Sequence, residues 1–174
     1  IDFDAAFFAT PRTITLTTGT LVISDSVTIT GTSATNCSVS GNNSVQVFAI
    51  SGPGIFDVSL ARLSIKSGNS FAGAAGISFG DENLTISECS ITGCVNGSSF
   101  NPGGGIGQTY GVVGGSLSII SSTISNNTAS GRGGGVFVYR PTSVTITGST
   151  LAGNSASDGA GLAAARVGEV ALRG

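Results

Sequence analysis

The sequence predicts an all-β, right-handed parallel β-helix, a single-stranded solenoid in which short strands from successive coils stack on one another. Three observations predict it. Short runs rich in Ile, Val and Thr alternate apolar and polar residues, the period of a strand, and no stretch carries a helical period of useful length. A motif returns at intervals of roughly one coil. A second, glycine-rich motif keeps step with it.

The first motif is apolar, any, apolar, with another apolar residue five positions later. It reads Leu84/Ile86/Ile91, Leu117/Ile119/Ile124 and Val144/Ile146/Leu151, with a more diverged copy at Phe56/Val58/Leu63. A further copy opens at Val170-Ala-Leu172. The second motif is a run of small residues leading into an apolar one: Gly73-Ala-Ala-Gly-Ile77, Gly103-Gly-Gly-Ile106, Gly133-Gly-Gly-Val136 and Gly159-Ala-Gly-Leu162. One such repeat cannot bury its apolar face alone, so copies must stack, and same-direction stacking gives parallel ladders. Parallel crossovers favour the right hand. An antiparallel sandwich does not explain two landmarks in register.

Taken in order, residues 1–11 read as an N-terminal amphipathic cap, with Ile1, Phe3, Phe7 and Phe8 interleaved with Asp2 and Asp4. Residues 12–55 read as irregular first coils built on Thr13–Leu16, Leu21–Ile23, Val27–Ile29 and Val45–Ile50. Residues 56–174 form the regular repeats, all within one domain. The pattern sets up three interior columns: Phe56, Leu84, Leu117 and Val144; Val58, Ile86, Ile119 and Ile146; Leu63, Ile91, Ile124 and Leu151. Three positions further on stand Cys94, Asn127 and Asn154, read either as an amide ladder or as turn chemistry. The glycine runs read as tight corners where coils approach closely, since no Lys-Ser or Lys-Thr follows to make a phosphate loop. Val167–Gly174 reads as a coil left open, to be covered by further coils or by a protein partner.

Composition narrows the chemistry. The 174 residues include 28 Gly and no His, Trp or Met, and only 9% are charged. Without His, a Ser-His-Asp triad, a Cys-His pair and any imidazole zinc site are excluded. Seven Lys and Arg against nine Asp and Glu give a net charge of −2, with the cations scattered, so nucleic acid is not a partner. No apolar run is long enough to span a membrane as a helix. No cofactor or metal is implied.

The repeats Ile124-Ser-Asn-Asn127 with Gly133-Gly-Gly-Val136, and Leu151-Ala-Gly-Asn154 with Gly159-Ala-Gly-Leu162, resemble those of polymorphic outer-membrane proteins. That family pairs FxxN with GGA(I/L/V) on a right-handed β-helix passenger. Here Ile or Leu replaces Phe, and Gly replaces Ala. The stretch Ile14–Gly31, with Val39-Ser-Gly-Asn-Asn43, is similar to large secreted coil proteins. The resemblance implies an extracellular or cell-surface location and a structural or adhesin-like role, with glycans among the partners.

Three function classes follow. The first is a non-enzymatic surface scaffold or interaction module. The second is a polysaccharide lyase or hydrolase, which needs clustered carboxylates. The chain offers Asp57 with Arg62 and Lys66, which reads better as a solvated face, and Asp81-Glu82, which reads as splayed in a turn. The third is ice binding through Thr arrays, interrupted in this register by Asp57, Ser118 and Ile120. No catalytic residue is assigned. Sequons mark Asn42, Asn83, Asn96 and Asn126 as candidate glycan sites at bends, with a fifth at Asn36. Cys37, Cys89 and Cys94 read as small packed apolar residues or, alternatively, as a bridge between Cys89 and Cys94 or from Cys37 to one of them.

Overall fold

The computed structural model describes residues 1–100 and 103–174. It is an all-β parallel solenoid of about six coils with one short 3-10 turn, Phe7–Ala9. Each coil passes through face B, then face C, then face A. Face A stacks Val27–Thr30, Asp57–Ala61, Asn83–Ser87, Ser116–Ile120, Ser143–Thr147 and Glu169–Arg173. Face B stacks Arg12–Thr15, Cys37–Ser40, Ser64–Lys66, Ser90–Thr92, Thr123–Ser125 and Thr150–Ala152. Face C stacks Leu21–Ile23, Phe48–Ile50, Ile77–Phe79, Ile106–Gln108, Val136–Tyr139 and Leu162–Ala165. A short face D (Asn69–Ser70, Val95–Asn96, Thr128–Ala129) lies between B and C in the middle coils. Every pairing between these strands is parallel.

The core is the set of inward columns. Leu84, Leu117 and Val144 align, as do Ile86, Ile119 and Ile146, and Ile91, Ile124 and Leu151. The first repeat enters two residues later than its sequence suggests. Val58 and Leu60, not Phe56 and Val58, pair with Leu84 and Ile86, and Ile65, not Leu63, pairs with Ile91. The slip has a simple cause. Phe56, Val58 and Leu60 alternate without a break, so both registers keep the same face inward, and only the spacing to the next corner separates them. Val58/Leu60/Ile65 in fact repeats the 84/86/91 spacing. Residues 12–55 use the same three faces, with Ile14, Val39 and Ile65 in one column and Val27 beside Val58.

Corners are made by left-handed residues. Between faces A and B these are Arg62, Glu88, Ser121 and Gly148, with φ between 47° and 55°. After face B they are Ser67, Gly93, Asn126 and Gly153. Each stands two residues beyond the last inward side chain of its strand, so from Asp57 onward the bend recurs at the same place in successive coils, whereas Gly31 and Gly41 at the equivalent places of the first coils are not left-handed. Glycine would be the cheapest residue there, yet five of these eight positions carry a side chain.

The glycine runs do hold coils close together. Ile77, Ile106, Val136 and Leu162 align at their ends. Gly103, Gly133 and Gly159 open their runs with positive φ. Gly104, with an ordinary φ, would drive a Cβ into the carbonyl oxygens of Gly134 and Thr128.

At the first coil, Asp2 bridges in parallel to Thr30, and the Ile1 nitrogen donates to the Thr28 carbonyl at 2.6 Å. Ile1 and Asp2 thus add to the edge of face A, and Phe3 packs against the core of the first coils. Phe8 is buried and meets Phe3 edge-on at 5.2 Å, whereas Ile1 and Phe7 stay exposed. At the other end the interior opens into a hollow of about 360 Å³ lined by Ile146, Leu151, Leu162 and Leu172.

Candidate functional site

The interior is closed by polar ladders. Asn127 Nδ2 donates to Asn154 Oδ1 at 3.1 Å and to the Ile91 carbonyl at 2.9 Å, and its Oδ1 accepts from the Cys94 N–H at 3.0 Å. Asn154 repeats the pattern, accepting from the Asn127 N–H and donating to the Ile124 carbonyl. Of the two readings of these positions the amide ladder is the one formed, with Cys94 holding its third place. A hydroxyl ladder missed in the sequence runs beside it at the A–B corner. There Ser122 Oγ accepts from the Cys89 N–H, and Ser149 Oγ accepts from the Ser122 N–H, each at 3.0 Å. Its signal was a Ser three residues after the second inward position of two repeats.

Cys37, Cys89 and Cys94 are free, buried thiols, so the Cys89–Cys94 bridge is not formed. The Cys89 thiol donates to the Leu60 carbonyl and the Cys94 thiol to the Thr92 carbonyl. Burial pushes Cys89 and Cys94 up to about 11 from an ordinary 9.0, and raises Cys37. The folded protein thus keeps these protons where the unfolded chain releases them. Their contribution to stability is complete below about pH 9 and is lost as pH rises toward 11. Urea midpoints should accordingly fall across that interval, by on the order of a few kcal/mol in unfolding free energy. A thiol reagent at pH 8 should label the protein only after denaturation; rapid labelling of the native state would contradict this burial.

The acids do not converge. Asp57 Oδ1 accepts from Asn83 Nδ2, and Asn83 Oδ1 accepts from Ser116 Oγ, both at 2.9 Å, which makes a polar column on the outside of face A. Lys66 Nζ instead reaches Thr13 Oγ1 on face B at 3.2 Å, and Arg62 bends the corner between the two faces. Asp57, Arg62 and Lys66 are therefore not one cluster. Asp81 is half-buried, while Glu82 is 1% exposed and accepts from the Gly80 N–H at 2.5 Å, which closes a C–A corner. Among the described residues no three His, Cys, Asp or Glu come together as metal ligands.

The outward surface of faces A and B is small and hydroxylic. With the observed register, Ser59 joins Thr28, Thr85, Ser118 and Thr145 in one column, and Asp57 leaves it for the Asn83 column. On face B, Ser38, Ser64, Ser90, Thr123 and Thr150 follow Thr13 in one column, of which Ser38 and Ser64 are buried.

Of the candidate glycan sites, Asn42 and Asn126 are exposed at left-handed bends with φ 55°. Asn83 stands at the start of a strand and is tied into the Asp57 column. Asn96 is 0% exposed and donates to the Gly103 carbonyl at 3.1 Å, so it is not a bend residue open to a glycan.

One surface feature escaped the sequence reading. The C–A corner is three residues long in most coils, but between Gln108 and Ser116 the chain makes a seven-residue excursion. Gln108 is buried and anchors it, donating to the carbonyls of Gly80 and Gly114 at 3.0 and 2.9 Å and accepting from the Tyr139 N–H at 2.9 Å. The excursion lays the Tyr110 ring over Tyr139, with centroids 4.5 Å apart.

Compared with known protein families, with characterised proteins and with solved structures, the chain matches none. Fold and surface together define a class: a parallel β-solenoid repeat protein of about six coils. Among the described residues no helix is long and apolar enough to cross a membrane.

Proposed function

We propose that the chain is a non-enzymatic structural or interaction module of an extracellular or cell-surface protein, similar in kind to the coil-built passengers that its repeats resemble. The observation that carries this reading is the use the fold makes of its polar groups. Asn127, Asn154, Ser122, Ser149, Gln108 and Glu82 serve coil stacking and corners, and Asp57 is tied into a hydrogen-bonded column. What faces outward is a regular, weakly charged surface suited to contact over area. The unpaired outer edges of the last coil, around the apolar hollow, are where further coils or a protein partner would stack.

The competing reading, a polysaccharide lyase or hydrolase, is tested by incubating the protein with polygalacturonate, alginate and dextran and following reducing ends and unsaturated uronate. The module reading expects neither to rise above a heat-treated control. Sustained turnover would replace it. One observation favours a further alternative, ice binding. Moving Asp57 out of the Thr85 column leaves five successive hydroxyls there, at the ladder spacing of about 4.8 Å. Thermal hysteresis of the purified chain decides that point.

A further inference from the structure

The C–A corner gathers features that the coil architecture does not require. Arg140 and Arg166 each directly follow a residue of the paired positions Tyr139 and Ala165, and both take left-handed backbone, with φ 55° and 56°. Their side chains therefore leave the solenoid from successive coils, about 4.8 Å apart. Both are exposed. Among the described residues the ion pair is Arg132 with Asp158, and neither Arg140 nor Arg166 takes part in one. The Arg140 guanidinium lies 5.8 Å from the centroid of the Tyr139 ring, and Tyr110 covers that ring at a 32° tilt. Tyr139 is buried, whereas Tyr110 is 54% exposed. A half-exposed aromatic ring backed by a second ring, with the Arg140 guanidinium beside that second ring and Arg166 leaving from the next coil, thus stands on a protein whose net charge is −2.

We propose that this corner binds an acidic polysaccharide. Arg140 and Arg166 hold carboxylate or sulfate groups carried by sugar residues, and the face of Tyr110 turned away from Tyr139 packs on a pyranose ring. Guanidinium suits both oxyanions because its planar fork donates in pairs. The half-exposed phenol ring supplies apolar contact with a polar edge, which a sugar ring matches on its C–H face. A coil rise and the advance of one sugar along a chain are comparable, so two cations in one column can meet acid groups on a single polymer. A nucleic acid fits less well, because its affinity needs many more cations than two and the rest of this surface is net acidic. This inference rests on the reading of the chain as an interaction module.

The test is affinity electrophoresis of the whole chain through gels holding polygalacturonate, dextran sulfate, neutral dextran or poly-glutamate. The two acidic polysaccharides distinguish carboxylate from sulfate, and retardation by either supports the site. R140Q/R166Q should weaken the retarding affinity about tenfold or more, Y110A about three- to tenfold, and R132Q little. All variants change exposed side chains, and a thermal melt matching the parent confirms that they fold. Equal retardation by neutral dextran, retardation untouched by R140Q/R166Q, or no retardation by either acidic polysaccharide would overturn the site. Poly-glutamate retarding as strongly as the polysaccharides would reassign it to an acidic protein segment. Depolymerisation of the gel polymer alongside normal retardation would instead overturn the non-enzymatic reading and leave the site standing.

Discussion

Gly134→Ala should cost at least about 4 kcal/mol, a large part of the stability of a domain this size. A Cβ at Gly134 would run into the Ser155 carbonyl oxygen and come within 2.7 Å of the Ala160 oxygen. Both are backbone atoms of the next coil, so no rotamer relieves the contact, and the coils would have to separate along the ladder. Gly93→Ala is the control. Gly93 has φ +64° and open space around its Cβ position, so its substitution carries only the left-handed penalty, about 1–2 kcal/mol. Urea titration of the two variants separates the causes. If Gly93→Ala proves the more damaging, the glycine runs are conformational devices and not spacers between coils.

Asn127→Ala should cost about 3–5 kcal/mol. The substitution removes the acceptor of the Cys94 N–H, the donor to the Ile91 carbonyl and the link to Asn154, and the site it leaves is fully buried. Each stranded buried group costs about 1–3 kcal/mol, which exceeds the net worth of the bonds themselves. Asn154, half-buried and nearer the end of the stack, should cost less when changed to Ala. Asn126→Ala, one position away but exposed, should cost about 1 kcal/mol, the left-handed preference of Asn over Ala at φ 55°. The three unfolding midpoints should therefore fall in the order Asn127, Asn154, Asn126 by severity. Equal values at Asn127 and Asn126 would mean that the amide ladder is turn chemistry only.

The coil architecture was legible because two motifs obeyed one period. Strand alternation alone could not have distinguished a solenoid from a sandwich. What the sequence left ambiguous was the register of the first repeat, since alternation through Phe56, Val58 and Leu60 is satisfied by two placements and the corner spacing settles it. That slip had consequences for function. It placed Asp57 in the Thr85 column and so broke a hydroxyl row that is continuous in the structure. Asn96 was misread for a related reason. An Asn-Gly pair looks like a bend, but its strand position on face D turns the amide inward, as it does at the aligned Ala129. The Tyr110 corner depended on a loop seven residues long where its neighbours have three, and loop length does not say which ring an excursion will cover. Arg140 and Arg166 were within reach. Each lies seven residues after the first glycine of its run, Gly133 and Gly159, and extending the repeat alignment through face C would have paired them.

The most direct measurement of the coil register is proximity between introduced cysteines on the outside of face A. The native thiols are buried, so they should not compete for reagent. Ser59→Cys with Thr85→Cys places two thiols on paired positions of adjacent coils, whereas Asp57→Cys with Thr85→Cys offsets them by two residues along the strand. A bifunctional alkylating dye that fluoresces only when both arms have reacted should link the first pair readily and the second far more slowly. Linking of the 57/85 pair as fast as or faster than the 59/85 pair would contradict the register, and with it the continuous hydroxyl column and the placement of Asp57 beside Asn83.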